Sequence, residues 1–139
     1  MMFRGLTRRC RRGAAAIEMA LLAPPLTFMA VATVDFGRVF YATSTISNCA
    51  RNGAFYASDP LNAATSPYSS VQQAALADAV GLSPSPTVTS STGTDASGNP
   101  YASVTVSYTF STIMNYPGIA SSSAVSRSVQ MRVADATPN

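Results

Sequence analysis

One stretch constrains this chain more than any other. From Ala14 to Val34 the sequence runs for 21 residues with a single charged side chain, Glu18. A helix rises about 1.5 Å per residue, so this run would cover roughly 31 Å. That matches a hydrocarbon core of about 30 Å. Five arginines, Arg4, Arg8, Arg9, Arg11 and Arg12, precede the run with no acidic residue among them, and Asp35 follows it. By the positive-inside rule the N-terminus stays cytoplasmic and everything after Asp35 is exported.

The formal net charge of +3 and the pI near 9.2 come from that basic head. From Ala14 onward four arginines face six acidic residues, an excess of two negative charges. The basic balance therefore describes topology, and nucleic acid is not expected as a partner. With 11% charged and 47% apolar residues, the composition also excludes a disordered charged tail.

Enzyme chemistry finds no support. The chain has no His and no Lys, so no side chain of those types can activate its many hydroxyls. The acids beyond Glu18 are scattered singly at Asp35, Asp59, Asp78, Asp95 and Asp135, at no spacing that suits an acid–base pair or a metal site. Gly93 and Gly98 are not followed by the Lys of a phosphate loop. No catalytic residue, metal or cofactor is expected. Cys10 and Cys49 are too few for a disulfide framework. Cys49 is read as a helix-packing thiol, with an intermolecular disulfide as the alternative.

Three fates are open to the apolar run. It is a plain membrane anchor, or a secretory signal cut after Ala30-Val31-Ala32, or a permanent helix whose basic leader is removed ahead of it. Arg8-Arg9 lacks the apolar continuation of a twin-arginine signal. Glu18 bears on the choice. An acid at the centre of a membrane helix costs about 2.5–3.5 kcal/mol, and such residues usually have a task. A cut between Gly13 and Ala14 would make Glu18 the fifth residue of the mature chain. Its carboxylate would then lie in the first helical turn, where the macrodipole favours negative charge. There it can meet the new α-ammonium, its own or a neighbouring subunit's.

Four blocks carry a resemblance. Arg11-Arg12-Gly13-Ala14-Ala15-Ala16-Ile17-Glu18 is similar to the prepilin-peptidase cleavage motif. Met19-Ala20-Leu21-Leu22-Ala23-Pro24-Pro25, Asp35-Phe36-Gly37-Arg38-Val39-Phe40-Tyr41 and Asn48-Cys49-Ala50-Arg51-Asn52-Gly53-Ala54-Phe55-Tyr56-Ala57 follow in order. Together, over residues 11–57, they resemble the TadE-like minor pseudopilins of the tight-adherence (Flp) pilus. The resemblance implies a bitopic inner-membrane protein, cut by a prepilin peptidase, that assists assembly of a type IV pilus-like fibre. It implies as partners that peptidase, other pilins and pseudopilins, the inner-membrane assembly platform and membrane lipid. Two alternatives stand beside it: a secreted binding module released by signal peptidase, and a bitopic protein unrelated to pili.

Within the run, Pro24-Pro25 predicts a kink, because proline removes a helical hydrogen bond and clashes with the preceding turn. Past it the helix is expected to continue to Ala57. Val39, Ala42, Ile46, Cys49, Gly53 and Tyr56 recur three and four apart and form one seam. The simpler reading packs this seam on the chain's own sheet, the other on a second subunit. Asp35 and Arg38, three apart, mark the membrane exit and are placed to pair. Arg51 is read as a cation near the helix end, complementing the dipole.

Asp59-Pro60 ends the long helix, and residues 58–67 read as loop. A short helix from Val71 to about Val80 follows, capped by Ser69 or Ser70 and stopped by Gly81. Ser83-Pro84-Ser85-Pro86 is a stiff connector. Thr87–Ser91, Ser103–Phe110 and Val125–Val133 read as strands from their alternation, with Arg127 a charge at an apolar position that breaks the pattern of the last and suggests a strand end or edge. A turn over Ser91–Pro100 and a longer connection over Ile113–Ser121, including Pro117-Gly118, join them. The expected fold is α+β: a membrane-spanning helix continuing as an amphipathic helix, packed on about three antiparallel strands, with one short extra helix. Its parts are a basic cytoplasmic leader (1–13), a transmembrane helix (14–34), an amphipathic continuation (35–57) and an extracytoplasmic α+β region (58–139).

Overall fold

The computed structural model describes residues 7–114, 118 and 120–134, with side chains from Gly13 onward. The first six residues of the leader, all leader arginine side chains and residues 115–117 and 119 of the last connection lie outside the described residues. So do residues 135–139, and with them Asp135. The chain divides into two compact units, Met1–Gly37 and Arg38–Asn139.

Helix α1 (Thr7–Ser58) begins in the first unit and ends in the second. It starts inside the basic head, seven positions ahead of Ala14. From Gly13 to Ala30 every side chain is exposed. Among the described residues this is the one helix long and apolar enough to cross a membrane, which suggests a single-pass membrane protein. The helix continues through both Pro24 and Pro25. Two hydroxyls bond back along it: Thr27 Oγ1 donates to the Ala23 carbonyl and Thr33 Oγ1 to that of Met29, each at 2.8 Å. Such back-bonding competes with the helical ladder and often bends helices.

The second unit is a helix-on-sheet layer pair. Strands β1 (Thr87–Thr94), β2 (Pro100–Ser111) and β3 (Ser122–Arg132) form an antiparallel meander in the order β1-β2-β3. The central strand alternates as its sequence does. Ala102, Val104, Val106, Tyr108 and Phe110 are buried, while the residues between them are half-buried or exposed. Against this face pack Ala42, Ile46, Cys49, Ala50 and Ala54 of α1. Fully burying an aliphatic or aromatic side chain contributes about 1.5–3 kcal/mol, so Ile46, Val104, Val106 and Phe110 dominate a core whose helical side is otherwise small. The seam thus meets the chain's own sheet, and Cys49 is a free, fully buried packing thiol.

The other sheet face is covered with hydroxyls. Thr105 Oγ1 donates to Ser128 Oγ at 3.0 Å, and Ser107 and Ser126 meet at 3.1 Å. Arg127 lies opposite Val106 in the register yet is exposed, as an in-phase charge on an edge strand must be.

Three expectations need correction. Residues 58–67 are not simply a loop: α2 (Pro60–Thr65) makes a second short helix beside α3 (Val71–Leu76). Asp-Pro is a stop for one helix and a start for the next. Asp59 is the N-cap, accepting from the Asn62 N–H, and Pro60 takes the first-turn position where its missing N–H costs nothing. Helix α3 ends four residues earlier than expected, at Leu76, with Gly81 at φ 77° closing the turns beyond it. Arg51 lies outside the last turn of α1, which holds no basic residue. Dipole stabilisation fades within one turn, so it is not the role of Arg51.

Candidate functional site

The residues singled out in the sequence fall into three groups along α1. Gly13, Ala14, Glu18, Pro24 and Pro25 are exposed in the first unit. A methyl group on Gly13 would meet nothing within 4 Å, so space does not explain the glycine. Asp35, at the end of the same unit, is only 5% exposed.

The second group begins at Arg38. Its side chain is exposed, and its guanidinium lies over the Phe110 ring, 5.1 Å from the centroid. Its Nη1 donates to the Ser111 carbonyl at 3.4 Å. A cation over an aromatic face at this range is attracted by the ring quadrupole, by about 0.5–1 kcal/mol when exposed. Arg38 therefore ties α1 to the end of β2. Tyr41 ties it to the connector: its hydroxyl donates to the Val80 carbonyl at 2.9 Å. Phe36 and Phe40 remain exposed beside them.

The third group is the Asn48–Ala57 block, where each small residue has a spatial reason. Cys49, Ala50 and Ala54 are fully buried. Gly53 is the point of closest approach. A Cβ built there would stand 2.9 Å from Val104 Cγ1 and 3.0 Å from Ala75 Cβ. Three elements, α1, β2 and α3, thus converge on a position with no side chain. Burial pushes the Cys49 thiol above its usual pKa, and the nearby Asp78 carboxylate adds to this.

Beside the same stretch of helix lies a cleft of about 260 Å³. Asn52, Phe55 and Tyr56 of α1, Asn62 of α2, Tyr68 and Asp78 line it. Asn52 Nδ2 donates to the Asp78 carboxylate, and Asn62 Nδ2 to that of Asp59. The Tyr56 hydroxyl donates to the Tyr68 carbonyl at 3.0 Å. The sequence pattern alone does not reveal this cleft, because residues 58–67 read as loop and α2 forms one of its walls. The N-cap pattern of Asp59 followed by Pro60 was the available signal. Among the described residues no group of three His, Cys, Asp or Glu side chains is placed to hold a metal.

Neither the curated proteins nor the solved structures yield a match. Residues 13–54 match the family model described as TadE-like protein. That span contains Gly13 to Glu18, the Asp35–Tyr41 block and the buried small residues of the third block. Over residues 13–54, about a third of its length, the chain is thus similar to the TadE-like proteins.

Proposed function

We propose that the protein is a structural, non-enzymatic pseudopilin that assists assembly of a tight-adherence pilus after removal of its leader. The observation that carries this reading is the TadE-like match, which begins at Gly13 and takes in Glu18. Cleavage falls between Gly13 and Ala14 and removes the basic head. Ala14–Val34 then holds the protein in the inner membrane as a single pass, with its N-terminal side cytoplasmic and its sheet on the other side. Pro24 and Pro25 kink that span, and Asp35 with Arg38 marks its exit. Glu18 registers the helix among pilin helices by meeting an α-ammonium, an attraction that water screens little at membrane depth. The partners are a prepilin peptidase, other pilins and pseudopilins, the assembly platform and lipid.

The long apolar helix supports the membrane part of this reading, since an exposed run of this length needs a non-aqueous surrounding. The test is co-expression with a matching prepilin peptidase and sequencing of the mature N-terminus. A start at Ala14 is expected. A start at Thr33 would turn the reading toward a secreted module, and a retained Met1 would remove the processing step. Glu18→Ala is expected to impair pilus assembly more than cleavage. Normal piliation by that variant would remove the registering role.

A further inference from the structure

We propose that the cleft between α1, α2 and α3 receives the guanidinium group of an arginine presented by a partner protein. The inference rests on the cleft alone and stands independently of the pilus reading.

Size is the first constraint. At about 260 Å³ the cleft holds the end of one side chain. Sites for drug-sized ligands and cofactors are larger, about 300–1,000 Å³.

Charge and hydrogen bonding come next. Asp78 supplies a carboxylate, and the lining contains no Arg to neutralise it. Several donors in the cleft are engaged within the chain: the Asn52 amide on Asp78, the Asn62 amide on Asp59 and the Tyr56 hydroxyl on Tyr68. The acceptors are not. Among the described residues no protein group donates to the side-chain carbonyls of Asn52 and Asn62 or to the second oxygen of Asp78. A cleft with one negative charge and spare acceptors selects a cationic donor.

Shape then selects the kind of cation. Phe55, Tyr56 and Tyr68 contribute three flat rings, and Phe55 is 58% exposed. A guanidinium is planar, stacks on rings and presents five donors in a fork, whereas an ammonium is a compact and strongly hydrated point charge. The same chemistry already operates in this chain where Arg38 lies over Phe110. A polypeptide source fits better than a free cation because Leu61, next to Asn62 in the chain, is also 58% exposed. Residues flanking an arginine can cover Phe55 and Leu61, and a free cation cannot.

The test uses the full chain, ¹⁵N-labelled in detergent micelles, with NMR shifts of the Asn52 and Asn62 side-chain amides and the Asp78 backbone amide as readout. The probes are N-acetyl-arginine-N-methylamide, its lysine and citrulline counterparts, and the acetylated, amidated tripeptide Leu-Arg-Leu. Saturable shifts are expected with the arginine probe, weaker ones with lysine and none with neutral citrulline. The tripeptide should bind at least about threefold tighter than the single residue, as burial of extra apolar surface requires. Asp78 is exposed, so Asp78→Asn should keep the fold. Loss of a charge-assisted hydrogen bond should weaken arginine binding about tenfold in that variant, and Phe55→Ala should weaken it in turn. Citrulline binding as well as arginine, lysine matching arginine, or unaltered affinity in Asp78→Asn would each overturn the guanidinium assignment. A tripeptide no better than the single residue would overturn the partner-protein source.

Discussion

Gly53 faces Val104 so closely that a methyl group on the glycine would stand 2.9 Å from Val104 Cγ1. Val104 is fully buried and β-branched, so it has little freedom to swing away. Gly53→Ala should therefore destabilise the second unit despite a better helix propensity. Overpacking costs about 1–3 kcal/mol and the propensity gain returns about 1, for a net loss of up to about 2 kcal/mol. Chemical denaturation checks this. Adding Val104→Ala should cost less in the Gly53→Ala background than alone, since the two positions share one space.

Tyrosine hydroxyls fasten the connecting segments to the helix. Tyr41 holds the Val80 carbonyl and Tyr56 that of Tyr68. Tyr41→Phe and Tyr56→Phe should each lose about 0.5–1.5 kcal/mol, the usual net worth of such a bond. The effect should be local. Limited proteolysis of either variant should show faster cutting between Ser66 and Ser85, with the sheet left protected.

The β1–β2 turn should respond to acid. Asp95 Oδ1 accepts from the Ser97 and Asn99 N–H groups at 2.9 and 2.8 Å. The Asn99 N–H, followed by the Asn99 side chain, holds this carboxyl below its ordinary pKa. A group with a lowered folded pKa contributes its stability above the unfolded value and loses it as pH falls through the folded value. The turn should therefore be unaffected by pH above the ordinary aspartate value of about 3.9 and loosen below it. The Ser97 and Asn99 amide shifts should titrate with a midpoint under that value, and Asp95→Ala should abolish the titration.

Cys49 should be chemically silent in the folded protein. It is fully buried, and burial raises its pKa, so little thiolate exists and none is accessible. In a Cys10→Ser background, Ellman's reagent should leave Cys49 unmodified under native conditions and modify it on unfolding in denaturant. Rapid native modification would contradict the packing described here.

Periodicity carried most of the fold. The seam from Val39 to Gly53 and the alternation from Ser103 to Phe110 are both forced by the need to bury one face, and both lie where expected, whereas Tyr56, the last seam position, lines the cleft. What periodicity could not show are features set by single contacts across the chain. Asp59-Pro60 read as punctuation because its capping role depends on Asn62 three residues on, in a stretch with no apolar pattern. Strand β1 extends to Thr94, past the expected Ser91, because pairing with Tyr101 and Pro100 holds residues whose own sequence favours a turn. Arg38 was read beside Asp35 in sequence, and its Phe110 and Ser111 contacts lie more than seventy positions away. The cleft was illegible for the same reason, since its walls come from three separate helices.

The hydroxyl-covered outer face of the sheet has one consequence for how the molecule can be divided. A sheet with a single apolar face needs a single roof, and here that roof is the stretch of α1 from Ala42 to Ala54. No liberated globule can consist of the chain after Ser58 alone, because such a fragment would expose Val104, Val106 and Phe110 to water. Any protease that separates the two ends of this protein and leaves the sheet folded must cut upstream of Ala42, so a released sheet always carries its stretch of α1 with it.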